Sequence, residues 1–208
     1  MPSATLYLAI LKKIGPFSLL IFINVCISNC QNKKQKWQWD SASIDPTIVN
    51  NYSYKQLDKE SEVFSVFENQ DSTLKRTSGV AYFTNGNSEL SDSNYAILNN
   101  CRAHFSHSDT LFIKIGFGDG FVGKGFIINY KDKKFYTEPY YFTDLIIEGE
   151  TLPVYELIYQ KLTLDKPKYK VGDSLYGKID FKSIEIDQAR NKINHSGKGY
   201  FRTKIKEL

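Results

Sequence analysis

The side chains able to do chemistry are few and far apart. His104-x-x-His107 with Asp109 is the one local cluster of metal-ligand types. On a strand, positions three apart face opposite sides and the imidazoles diverge; on a helix they converge, yet two histidines and one carboxylate are a bare minimum for a divalent ion. His195 is distant and would join only by accident of fold. Cys101 and His104 pair a thiol with a base, but no Asn or Asp stands by to orient the imidazole. A lone cysteine is more often a small buried apolar group. The run Gly118-x-Gly120-x-x-Gly123 has the form of a dinucleotide fingerprint, but residues 121–130 continue as strand rather than opening a helix. No Gly-x-Ser-x-Gly elbow occurs. Asp119, Asp132, Asp173 and Asp187 fall at expected turns, where Asp serves the backbone. Glu138 is a single carboxylate and makes no acid–base pair. These residues call for no catalytic centre, no cofactor and no metal.

Two surface features remain. Tyr136, Glu138 and Tyr140 share one strand face, continued by Phe142. That face is either core or, at an exposed edge, a platform for sugar rings or a partner strand. Tyr200, Arg202 and Lys204 share parity with Lys198 and Lys206 on the last strand. A lysine-lined strand protects an edge from pairing, or recognises acidic glycan or lipid headgroups. Together the six residues Tyr136, Glu138, Tyr140, Tyr200, Arg202 and Lys204 form the candidate ligand surface.

The elements that position these groups are strands. Residues 111–130 (LFIKIGFGDGFVGKGFIINY) are two Ile/Phe/Val-rich runs about Gly118-Asp119-Gly120, the pattern of a β-hairpin. Residues 63–67, 79–84, 135–143, 154–164, 175–181 and 199–205 read as further strands. Pro139 lacks an N–H and marks an edge or a bulge. Ile184 and Ile186 fall out of phase with Leu175, Ile179 and Phe181, which implies a bulge near Ser183. Residues 188–197 read as a polar loop. Residues 95–105 fit both periods and are read as a short helical turn feeding a strand. No long amphipathic helix alternates with the strands, so the class is all-β. The expected architecture is an antiparallel β-sandwich of immunoglobulin-like arrangement, with a partly closed β-barrel as alternative.

Charge is unevenly placed. Five lysines and no acid precede Asp40, so removing five from the chain's +4 leaves the body from Asp40 at −1. Such a body has no electrostatic footprint for nucleic acid. In the leader, Lys12-Lys13 precede the apolar run 14–27, which is too short to cross a bilayer and has the length of a signal-peptide core. It ends Ile27-Ser28-Asn29-Cys30, followed at once by polar residues. This resembles the lipobox of bacterial lipoproteins, with Asn29 where Gly, Ala or Ser is usual. The resemblance implies cleavage before Cys30, acylation of its thiol and amine, and a place in the cell envelope, periplasmic or surface-exposed. With Cys26 removed and Cys30 acylated, Cys101 would be the one remaining thiol, so no internal disulfide is expected.

The expected organisation is a signal peptide over 1–29, lipidated cysteine and tether over 30–60, and one β-domain over 61–208. Trp37 and Trp39 either lie at headgroup level beside the anchor or pack on the domain as its first strand begins. The expected function is a non-enzymatic envelope lipoprotein that binds a glycan or an envelope protein. The alternatives are a hydrolase of envelope polymers and a barrel-type carrier of an apolar ligand.

Overall fold

The computed structural model describes residues 37–62, 73–86, 94–106, 109–118, 122–143, 153–187 and 189–207. The leader, Cys30, the expected strand 63–67, His107 and Asp119 lie outside the described residues.

The chain is all-β, and of the two architectures expected from the sequence it takes the barrel. Its strands are β1 (Asp40–Ser41), β2 (Ser43–Ile44), β3 (Val80–Gly86), β4 (Asn94–Leu98), β5 (Asn100–Phe105), β6 (Leu111–Gly118), β7 (Val122–Lys131), β8 (Lys134–Thr143), β9 (Val154–Leu164), β10 (Ser174–Ile186) and β11 (Lys192–Lys206). The order across the sheet is β1-β8-β7-β6-β5-β11-β10-β9-β2, with β3 on β11 and β4 on β3. The hairpin β6–β7 runs from Leu111↔Tyr130 to Gly118↔Gly123, as its apolar pattern requires. β11 is the long central strand. It pairs with β10 on one side, and on the other with β3 along its first half and β5, in parallel, at its end. The lysines of the last strand therefore do not line a sheet edge.

The sheet curls until β8 and β9 face each other, and the segment before the barrel closes the gap. β1 pairs with β8 and β2 with β9, so a short strap touches both margins. Gln160 of β9, buried, completes the seam. Its Oε1 accepts from Thr137 N at 2.9 Å, and its Nε2 donates to Gln38 O and Asp40 Oδ2, both at 3.0 Å. Successive N–H groups alternate between a strand's two edges, so Pro139, two residues beyond Thr137, turns its missing donor to this same open margin. Residues 37–60, expected as part of a tether, belong to the same compact unit as the barrel.

The interior is filled by rings set against glycines. Phe126 and Phe181 stand 4.7 Å apart by ring centroids, with Tyr82 stacked on Phe126 at 5.9 Å. A Cβ on Gly197 would strike the Phe181 ring, and one on Gly177 the Phe201 ring. These glycines leave room for the cross-strand ring. On the outer face of β10 and β11 sits α1 (Tyr52–Leu57), capped by Asn51, whose side chain accepts from Ser53 N. Tyr54 and Leu57 of α1, with Ile48, pack on Tyr176 and Tyr200, and Tyr54 donates to Gly177 O at 3.1 Å.

Two local expectations are corrected. Residues 95–105 contain no helical turn; β4 and β5 run on either side of Asn99. The irregularity by Ser183 is present, but the extra residue belongs to the partner strand. Tyr159 pairs with Lys182 and Leu157 with Ser183, which leaves Ile158 over. Ile158 and Tyr159 both face out, and Gln160, Leu162 and Leu164 then face in.

Candidate functional site

Residues directly opposite in antiparallel strands point to the same side. Core residues Cys101, Ile115, Phe126 and Pro139 thus fix one face of β5–β8 as inner, and Arg102, Lys114, Ile127 and Glu138 as outer. Tyr136, Glu138 and Tyr140 share this outer face, as their spacing implies. Each is already engaged. Trp37 stacks on Tyr136 at 4.9 Å and 17°, and Trp39 meets it edge-on at 4.6 Å. Tyr140 lies across Gly125 and Gly116, where a Cβ on Gly116 would strike its hydroxyl, and Lys114 Nζ sits 4.6 Å from its ring centroid. Gly116, just outside the glycines that mimic a phosphate fingerprint, thus makes room for a tyrosine ring.

Asn129 Nδ2 donates to Glu138 Oε1 at 2.8 Å. Burial pushes the Glu138 carboxyl above the usual range, opposed by that bond. Burial, and then Glu138, push Tyr136 up to about 12. Because the folded state holds the Glu138 proton more tightly than the unfolded chain, this group favours folding at low pH. The benefit is lost as pH rises through the folded pKa. Glu138→Gln keeps the acceptor for Asn129 and removes the charge. It should raise Tm at neutral pH by on the order of 1 °C, a gain that shrinks as pH falls through the carboxylate range. Melting curves across pH check this; a gap that ignores pH would contradict it.

Tyr200, Arg202 and Lys204 lie on the outer face of β11, on the other half of the sheet. Asn51 Nδ2 donates to the Tyr200 hydroxyl at 3.2 Å, Arg202 pairs with Asp58 at 2.6 Å, and Lys204 is exposed. The first two hold the segment around α1. The structure therefore does not bring the six candidate residues into one surface.

The residues weighed for metal and thiol chemistry also stay apart. Among the described residues, no three His, Cys, Asp or Glu side chains gather. His104 is on the outer face, edge-on to Phe112 at 5.6 Å, and burial and Lys114 favour its neutral form. Cys101 is fully buried on the inner face, where desolvation pushes its thiol well up and away from the reactive thiolate.

His195, expected in a polar loop, is instead buried in β11 and centres a network that the sequence reading missed. Its Nδ1 meets the Tyr82 hydroxyl at 2.8 Å and its Nε2 meets Glu185 Oε2 at 2.8 Å; Tyr155 bonds to the same carboxylate. The partners come from β3, β9, β10 and β11, so no local spacing could reveal them. Both ring nitrogens of His195 are occupied by protein.

A cleft of about 500 Å³ opens at the end of the barrel that carries the β7–β8 turn and the loop 165–173. Its walls include Phe105, Tyr130 and Tyr169, with Lys131, Lys168, Lys170, Asp109 and Asp132 around them. The Tyr130 hydroxyl donates to Pro167 O at 2.8 Å, and the Tyr169 hydroxyl to Asp165 Oδ1 at 2.6 Å. Both rings are thereby held in place, 6.3 Å apart and edge to face. Asp165 also accepts from Tyr176 N at 2.9 Å, which ties the loop to β10. The turn residues Asp132 and Lys133 both take positive φ, 49° and 63°, so this hairpin closes with the twist that suits its strands. Its cation-and-ring composition suits a small anion that carries a ring. The sequence reading missed this site too, because Lys168 and Tyr169 look like ordinary loop residues until Asp165 and Pro167 fix the rings.

Fold and cleft define an all-β, barrel-shaped body with a ring-lined, lysine-bearing cleft. Compared with known proteins, the chain matches no family model, no curated protein and no solved structure.

Proposed function

We propose that the protein is a non-enzymatic cell-envelope lipoprotein, held at a membrane through Cys30, whose barrel binds an acidic sugar unit of an envelope glycan. The observation that carries the ligand class is the cleft. Tyr130 and Tyr169 are locked by their hydroxyls, while Lys168 and Lys170 have no ion pair among the described residues. Rings fixed in advance lose little entropy on binding, and unpaired ammonium groups supply attraction for a carboxylate.

Two features weigh against the alternatives. A hydrolase would draw on His195, but that ring is buried between strands, with Tyr82 and Glu185 on its two nitrogens. A carrier of an apolar ligand needs an empty lumen, and here Phe126, Phe181 and Phe201 fill the space between the strands.

Calorimetric titration with glucuronate oligosaccharides and their neutral glucose counterparts tests the ligand class. The acidic series should bind, weaken as salt is raised, and lose binding on Tyr169→Ala. Equal response to both series, or none to either, would contradict it.

A further inference from the structure

We infer that the strap formed by β1 and β2 positions the two rings of the cleft, so that docking of the strap across the seam and binding in the cleft favour each other. This names the regulation of the ligand site proposed above and rests on that reading. Among the described residues no ladder joins β8 to β9; β1 lies on the edge of β8 and β2 on that of β9. The walls of the cleft grow from the same margins. Tyr130 stands at the end of β7, before the turn to β8, and Tyr169 in the loop that leaves β9 after Leu164.

The strap holds both walls at their roots. Ala42 N donates to Lys133 O at 2.8 Å, and the Lys133 backbone hydrogen-bonds the Tyr130 hydroxyl. Asp45 N donates to Leu164 O at 2.9 Å. The next residue, Asp165, accepts from the Tyr169 hydroxyl at 2.6 Å, and Lys166 N donates to that hydroxyl at 3.2 Å. Each ring is thus fastened to a residue the strap holds or to its neighbour. Three residues of extended chain separate Ala42 from Asp45 and space the two roots by about 10 Å. The walls also meet each other, Tyr130 hydroxyl to Pro167 O at 2.8 Å, so a change at one root passes to both rings. Ala42, Ile44, Phe105 and Tyr169 pack on one core cluster. With strands of two residues each, the strap opens locally at far less cost than the barrel unfolds. By linkage, a ligand that prefers the docked form strengthens docking by the factor by which docking strengthens binding.

Hydrogen exchange of the whole chain tests the coupling with and without a ligand. Gln160→Leu removes the bonds from β9 to Gln38 and Asp40. It should speed exchange at Ala42 and Asp45 on the order of tenfold, and with them the amides of Lys133 and Lys166, while β6 and β7 keep their rates. Ser41→Cys with Lys134→Cys, opposite each other across β1 and β8, should form a disulfide that restores the slow rates in the Gln160→Leu background. In the wild-type chain, glucuronate oligosaccharides should slow Ala42 and Asp45. Gln160→Leu should weaken their binding several-fold, and the disulfide should recover it. Lys133 and Lys166 amides that stay protected in Gln160→Leu overturn the coupling, whatever the sugar does. So does acceleration spread equally over β6 and β7, or a Gln160→Leu chain that binds the sugar as tightly as wild type. A wild-type chain that binds no oligosaccharide removes the glycan reading alone, and the exchange rates still decide the coupling.

Discussion

Gln160→Leu should destabilise the barrel by about 1–3 kcal/mol, the cost of leaving the one buried N–H of Thr137 without a partner. The substitution nearly conserves volume, so the loss reports hydrogen bonding rather than packing. It strands Thr137 N and removes the donor that holds Gln38 O and Asp40 Oδ2. Thr137 lies on β8, Asp40 on β1 and Gln38 just before it, so Gln160 joins all of them to β9. Gln160→Glu makes the complementary test. It keeps an acceptor for Thr137 N but sets a carboxylate against Asp40, so its loss should ease as pH falls and the pair can share a proton. Urea unfolding measures both, and hydrogen exchange should show β1 and β2 opening first. A loss of under about 1 kcal/mol for Gln160→Leu would mean that the strap and seam contribute little. The same lesion should loosen Trp37 and Trp39, since both lead directly into β1.

Where strand period and turn chemistry agree, the fold was legible in the sequence. Residues 111–130 carry two β-branched and aromatic runs around glycines, and they form β6 and β7 with the register such a hairpin needs. Pro139 announces an open margin, and β8 has one. The slip of Ile184 and Ile186 reveals an irregularity, but period alone cannot say which of two paired strands holds the extra residue; it is Ile158 on β9. Residues 40–57 were obscured by their polarity. β1 and β2 are two residues each, too short for any alternation to show, and they exist because β8 and β9 offer open edges. Residues 95–105 misled because Tyr95, Leu98, Cys101 and Phe105 match a helical period, while cross-strand pairing to β3 and β6 decided the outcome.

The candidate site was less legible for the same reason. Tyr136, Glu138 and Tyr140 do share a face, but what covers them, Trp37 and Trp39 above all, comes from nearly a hundred residues earlier. Tyr200 and Arg202 look like a charged edge until α1 is seen to dock there. The cleft depends on hydroxyl bonds from Tyr130 to Pro167 and from Tyr169 to Asp165 that no spacing rule anticipates.

The largest functional effect expected of any single substitution is that of Cys30→Ser. A serine cannot form the thioether of a diacylated cysteine, so processing before residue 30 should stop and the acyl chains should be absent. One acyl chain gives only reversible membrane binding, whereas two or more, assisted by a basic segment such as Lys33, Lys34 and Lys36, give a stable hold. The most direct measurement is mass spectrometry of the N-terminal peptide of the protein purified from membranes of cells that make the whole chain. A lipoprotein yields a peptide that begins at Cys30 and carries fatty acyl mass, absent in Cys30→Ser. A peptide that begins upstream of residue 30, or one with an unmodified thiol at Cys30, would contradict the anchor.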